Sequence, residues 1–174
     1  MRKIGIIAVL SLLVTAFAAV PALAGAPTSV TQTGGLHVCQ GSALDVSPVK
    51  TDTSAFLTAS GEVCGAGPTA TATLSADAEV VTGCINPGSK DQQPKGLQRT
   101  TTPTVGSGTF DTRAGRAAFG VAPNLVQTTP IALPGRTCPG QQTPTTVSVT
   151  FTNVVLTITS QTGSITANFD PIDP

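Results

Sequence analysis

His37 is the only histidine in the 174-residue chain. A Ser-His-Asp or Cys-His site would have to use it, because the histidine is the base in both arrangements. It stands in Gly34-Gly35-Leu36-His37-Val38-Cys39-Gln40, two residues before a cysteine. In that setting it reads as an exposed or structural strand residue, and no catalytic residue is assigned. Asp77 and Glu79 are two positions apart, which on a strand is about 6.6–7 Å. Carboxylates at that range could flank a glycosidic bond. The alternation around them favours a solvated strand face that repels edge pairing. Asp170 and Asp173, in the closing Asp-Pro-Ile-Asp-Pro, are too few for a calcium site built from six or more oxygens. No glycine-rich loop opens a helix. Neither a metal nor a cofactor is expected.

The remaining reactive side chains are Cys39, Cys64, Cys84 and Cys138. Zinc sites want close pairs such as Cys-x-x-Cys, usually with histidine. Successive spacings of 25, 20 and 54 residues offer no such pair. An even count in an exported chain reads as two disulfides, with three connectivities open. Hairpin geometry selects one. If Leu36–Val46 and Ala55–Cys64 are antiparallel neighbours about a turn at Lys50–Thr53, residue 39 falls opposite 63 or 64. That predicts Cys39–Cys64, and Cys84–Cys138 follows by elimination.

The most polar, least patterned stretch is Gly83–Gln98 (GCINPGSKDQQPKGLQ). Residues 85–98 read as a surface loop tied down at Cys84. Such long connections are disproportionately functional. Lys90, Asp91, Lys95 and Arg99 give it the densest charge after the first 24 residues, and are the candidate partner contacts. The competing reading is a plain connection between strands.

These residues need elements to hold them. Arg2 and Lys3 precede an uncharged apolar run from Ile4 to Val20, and Ala22-Leu23-Ala24 matches a small-x-small cleavage site. Residues 1–24 are therefore expected to be a secretory signal peptide, and 25–174 a single domain. No apolar tail closes the chain, so no membrane contact is expected after cleavage. Only 10% of residues are charged, and the nine basic side chains are scattered. Nucleic-acid binding needs clustered Lys/Arg and stacking aromatics. The chain has neither, with no Trp, no Tyr and six Phe. Nucleic acid is set aside.

Periodicity is two almost throughout. In Thr69–Val81 the apolar face is Ala70, Ala72, Leu74, Ala76, Ala78 and Val80, and the polar face is Thr, Ser, Asp and Glu. Leu57, Ala59 and Val63 repeat the pattern, as do Ile165, Ala167 and Phe169. Val147, Val149 and Phe151 are odd-numbered, whereas Val154, Leu156 and Ile158 are even. One extra residue near Asn153 explains the slip, the mark of a β-bulge. Thr109–Val121 reads as a hairpin turning at Gly115, and Thr157–Thr166 as another around Gly163. Three Pro-Gly pairs, at 87, 134 and 139, suit type II turns. No helical period appears after residue 24. The expected fold is all-β: a two-sheet antiparallel sandwich, immunoglobulin-like or jelly-roll-like, of seven to nine strands with two disulfides. Cys64 and Cys138 each lead through a Gly/Pro turn into an alternating strand. This echo suggests two similar halves packed face to face.

With Cys84-Ile85-Asn86-Pro87-Gly88 and then Pro94-Lys95-Gly96-Leu97, the chain resembles small exported Thr/Ala/Gly-rich β-proteins of high-GC Gram-positive bacteria. In composition alone it is also similar to the apoproteins that carry enediyne antibiotics on an immunoglobulin-like sandwich. Its cysteine spacing departs from that family, whose bridges close short loops, and no binding residue carries over. The functional expectation is a secreted, non-enzymatic β-domain that binds or scaffolds, its partner an extracellular protein or surface polymer. The alternative is a disulfide-braced small-molecule carrier, or a protease-inhibitor-like protein presenting loop 85–98. N-terminal sequencing of the exported protein is expected to begin at or near Gly25; retention of Met1 would refute the cleavage.

Overall fold

The alternation of Thr69–Ile85 becomes a 17-residue strand whose even residues from Ala70 to Val80 are all buried. The computed structural model describes residues 25–88 and 93–174. The expected signal segment therefore lies outside the described residues. The described residues form eleven strands: β1 (Ser29–Gly34), β2 (His37–Val38), β3 (Asp45–Lys50), β4 (Ser54–Cys64), β5 (Thr69–Ile85), β6 (Lys95–Asp111), β7 (Arg116–Phe119), β8 (Val126–Gln127), β9 (Ile131–Ala132), β10 (Thr143–Ser160) and β11 (Gly163–Phe169). Eight of these have four residues or more. The count exceeds the expected seven to nine because β2, β8 and β9 are two-residue pairings, too short to leave a periodic signal.

One sheet runs β1-β11-β10-β5-β6, antiparallel throughout. In the other, β4 is central. β3 and β2 lie along one flank, and β9, β8 and β7 along the other. The core fills the space between. Leu74, Leu156, Ile158, Ile165 and Phe151 from the first sheet meet Leu57, Val46 and Val63 from the second, with Leu36 and Leu44 from the connections. Burying each such side chain is worth about 1.5–3 kcal/mol. Phe110 of β6 stacks on Phe119 of β7, ring centroids 5.4 Å apart, and so joins the sheets.

Both disulfides form as expected, with Cα–Cα distances of 5.0 Å for Cys39–Cys64 and 5.8 Å for Cys84–Cys138. The register behind the first differs from the expectation. Val38 lies opposite Val63, and Cys39 donates its N–H to Glu62 O. The turn Cys39–Ser42, with Gly41 at φ 81°, inserts extra residues between β2 and β3. The bridge is thus a diagonal across the pair.

Asn153 has φ 51° and marks a register shift in β10, as the phase slip requires. A second shift, between Thr146 and Ser148, extrudes Val147 to 47% exposure. Val147 therefore does not share the buried face of Val149 and Phe151. Thr157–Thr166 forms its hairpin with Gln161-Thr162 at the tip. Gly163 lies opposite Gly34 there and is needed for close approach, because a β-carbon on it would collide with the Thr33 carbonyl. Arg113–Arg116 forms the other tight turn, with Ala114 and Gly115 at φ 52° and 74°. The expected hairpin does not follow: β7 pairs with β4, so the chain changes sheets. Ala117 and Phe119 would be buried against either sheet, so alternation alone could not tell. Of the three Pro-Gly glycines only Gly140 has positive φ, which excludes a type II turn at the other two. The two echoing strands, β5 and β10, pair edge to edge within one sheet and do not face each other.

The segment 125–138 straps the sandwich shut. Gly106 and Gly108 on the inner face of β6 let it lie against the strand; a β-carbon at Gly106 would collide with the Gln127 carbonyl. Thr129 donates its N–H to Val105 O, and Thr128 exchanges bonds with Leu57 on the other sheet. Cys84–Cys138 anchors the far end. Gly106→Ala is expected to destabilise by about 1–3 kcal/mol through overpacking. Gly88→Ala, with open space around it, should be near neutral. Urea unfolding of the two variants checks this; equal midpoints would refute the close packing.

Candidate functional site

The expected loop is shorter than its sequence suggests. β6 begins at Lys95, so the connection spans 86–94, and Lys95 lies opposite Cys84 within the ladder. An edge strand solvated on both faces has the polarity of a loop, which is why Lys95–Gln98 read as one. Lys90 and Asp91 lie outside the described residues. Arg99 faces Val81 across the ladder, and its Nη1 donates to Glu79 Oε2 at 3.1 Å. The arginine side chain is 68% exposed, so the pair adds about 0–1 kcal/mol. Of the four candidate contacts, Lys95 and Arg99 thus sit in the β5–β6 ladder.

Asp77 and Glu79 lie on a central strand, so they cannot protect an edge. Each is tied sideways instead. Asn153 Nδ2 donates to Asp77 Oδ2 at 2.8 Å and braces the β10 bulge, while Glu79 takes Arg99. His37 donates from Nδ1 to Gly35 O at 2.9 Å. Among the described residues no three His, Cys, Asp or Glu gather as a metal cluster.

Three surfaces remain. A cleft of about 560 Å³ at the β4–β7 end is lined by the charged and polar side chains of Glu62, Asp111, Arg113, Arg116 and Asn124 together with Ala118 and Pro123. Arg116 Nε donates to Glu62 Oε1 at 2.9 Å, and Ser42 Oγ to Glu62 Oε2 at 3.0 Å. These two bonds, the arginine's first, hold the Glu62 carboxyl below its ordinary range, and Glu62 in turn raises Arg116. A second groove, of about 300 Å³, opens where β6 outruns the second sheet. Val80, Thr100, Thr102 and Thr104 of the β5–β6 face line it, with Thr129–Ala132 of the strap opposite.

The third surface is the outer face of the five-stranded sheet. The registers align its residues in rows across all five strands. One row is Thr33, Ser164, Thr159, Thr71 and Thr109. The next is Thr31, Thr166, Thr157, Thr73 and Ser107. A third is Ser29, Asn168, Val155, Ser75 and Val105. Neighbouring strands lie about 4.8 Å apart and rows about 6.6–7 Å. Hydroxyls bond along the first row, Thr33 to Ser164 at 2.8 Å and Thr71 to Thr109 at 2.9 Å. No charge stands on these three rows. Sequence reading saw each strand's polar face but not the rows, because rows exist only once the registers are known.

Compared against protein-family models, curated proteins and solved structures, the chain matches none.

A carboxylate with a lowered folded pKa stabilises the fold above its unfolded pKa. That contribution is lost as pH falls through the folded value. Arg116→Gln is therefore expected to move Glu62 titration back up toward its ordinary value and to weaken the acid dependence of stability. NMR titration of the Glu62 side chain reads this directly; an unchanged midpoint would refute the pairing.

Proposed function

We propose that the chain is a secreted, non-enzymatic domain that holds to an extracellular surface polymer through the outer face of its five-stranded sheet. The observation that carries this is the three registered rows, in which threonine and serine predominate and charge is absent. Each threonine presents a hydroxyl and a methyl at fixed spacing on a rigid strand. A hydroxyl-rich polymer lying on the face would meet both hydrogen-bonding and apolar contact without losing mobile side-chain entropy. Such a contact needs breadth, not stacking, which suits a chain without Trp or Tyr. Two disulfides suit an oxidising extracellular compartment. The non-enzymatic reading draws on the single histidine, whose Nδ1 is engaged by a backbone carbonyl.

The groove between Thr100–Thr104 and the strap favours a second reading, a carrier of a small amphipathic molecule. At about 300 Å³ it is at the lower limit for ligand pockets. Native mass spectrometry of the exported protein separates the readings, since a carrier would retain ligand mass.

Thr157 is central in its row. Thr157→Lys should leave folding intact and remove most of the protein that co-sediments with purified cell-envelope polymer. Undiminished co-sedimentation of the variant, or none by the parent, would overturn the proposal.

A further inference from the structure

Sheet edges expose unpaired N–H and C=O groups that can template another strand. Among the described residues, β3, β7 and β6 each carry a device that blocks such pairing, and β1 does not. On β3, the backbone N–H and C=O of Val46 face the open edge and exchange both bonds with Gly25, while its side chain stays in the core. Pro48, two residues on, faces the same open side and has no N–H to offer. On β7, Arg116 exchanges bonds with Arg113, and the Ala118 carbonyl accepts from Asn124 Nδ2 at 3.0 Å. On β6, Val105 O takes Thr129 N–H, which sets the parity: Pro103, Thr101 and Arg99 also face away from β5. Pro103 interrupts that row, Arg99 charges it, and Arg136 Nη1 caps the Gly96 carbonyl at 2.7 Å.

β1 has none of these devices. Its sequence, Ser-Val-Thr-Gln-Thr-Gly, holds no proline and no charge, and all six residues are exposed. Gly35 N–H donates to Thr162 O, and Ser164 N–H is aimed at Thr33. The odd-numbered residues of β1 therefore face β11. Alternation turns the N–H and C=O of Val30 and Gln32 to the open side.

We infer that β1 is the self-association edge of this protein, pairing antiparallel with β1 of a second copy across a two-fold axis at Thr31. The register follows from the same bonds. An axis at Val30 would need Thr28 to face outward, but Thr28 N–H is committed to Asn168 O. An axis at Gln32 would need Gly34, whose φ of 70° takes it out of strand geometry. With the axis at Thr31, Val30 meets Gln32 of the second copy, and the reverse, for four main-chain bonds. Because neither edge carries charge, the self-match carries no repulsion. The two five-stranded sheets become one, and the rows ending at Ser29, Thr31 and Thr33 continue into the second copy. An edge contact buries less than the roughly 1,600 Å² of a standard interface, so the dimer dissociates on dilution. This pairing stands independently of the polymer-binding reading.

Sedimentation of the purified protein over a concentration series should show mass rising from one chain to two. Residues at the axis form a non-hydrogen-bonded pair, with Cα atoms about 4.5 Å apart, within disulfide range. Under mild oxidation Thr31→Cys should cross-link into a dimer. Thr33→Cys, on the same strand and face but opposite Ser29 of the second copy, should not. Gln32→Pro removes an outward N–H and should remain monomeric. A parent that is monomeric throughout, equal cross-linking by the two cysteine variants, or dimerisation of Gln32→Pro would each overturn the inference. Should Gln32→Pro fail to fold, the cysteine pair still decides.

Discussion

The central antiparallel pair, β5 against β10, is the constraint on which the rest of the fold depends. Both strands span the full length of their sheet, and their shared ladder runs from Ile85–Thr143 to Ala70–Ser160. Because β5 turns mostly alanine inward, the second sheet can come close, and the bulk of the core is supplied by Leu57, Leu156, Ile158 and Phe151. The two register shifts in β10 let a long strand twist without losing its buried face. The Asn153 shift is braced by Asp77, so one of the few charged side chains holds the geometry of the pair.

Closure of the two seams follows from that pair being longer than β4, the centre of the second sheet. Where the first sheet overhangs, the strap descends from β8 and β9 to Cys138 and takes bonds from both sheets. On the loop-entropy account each disulfide constrains the unfolded chain by about 3–4 kcal/mol. The second has a local effect as well, since it fixes the strap where few apolar contacts could. The other seam is crossed by the N-terminal segment, bonded to β3 at Gly25 and to β11 from Thr28 onward.

The strand faces were legible in the sequence because burial alternates with period two. Ala70–Val80 and Ile165–Phe169 needed nothing else. The bulge at Asn153 was legible as a phase slip between two apolar sets. Partner choice was not legible. Arg116–Phe119 has the same alternation whether it returns to β6 or crosses to β4, and a return about the Arg113–Arg116 turn would bring Phe119 opposite Phe110 as well, so only the register with β4 distinguishes the two. Lys95–Gln98 read as loop because an edge strand solvated on both faces carries no apolar period. The Glu62–Arg116 pair, 54 residues apart in sequence, and the threonine rows depend wholly on register. Arg99 entered the sequence reading as a partner contact because charge is scarce; its pairing with Glu79 became visible only with the register.

Scarcity of charge shapes the surface as much as the core. With 10% of residues charged, few are left to discourage edge pairing. Glu79 is spent on Arg99, Glu62 on Arg116 and Asp77 on Asn153, so these acids fix neighbouring strands and do not guard edges. Edge protection therefore falls largely to proline, to backbone groups borrowed from adjoining segments, and to the few side chains Arg99, Arg136 and Asn124. Pro48 and Pro103 each present the missing N–H to the open side of an otherwise regular strand. A fold that economises on charge in this way leaves the three hydroxyl rows of its outer face neutral, with Asp77 and Glu79 beyond them on the same face. Under the proposed function, rows of fixed hydroxyls and methyls would suit a partner that offers the same chemistry over a comparable area. On the polymer-binding proposal, selectivity would come from breadth and register, which the central pair sets, and not from any single side chain.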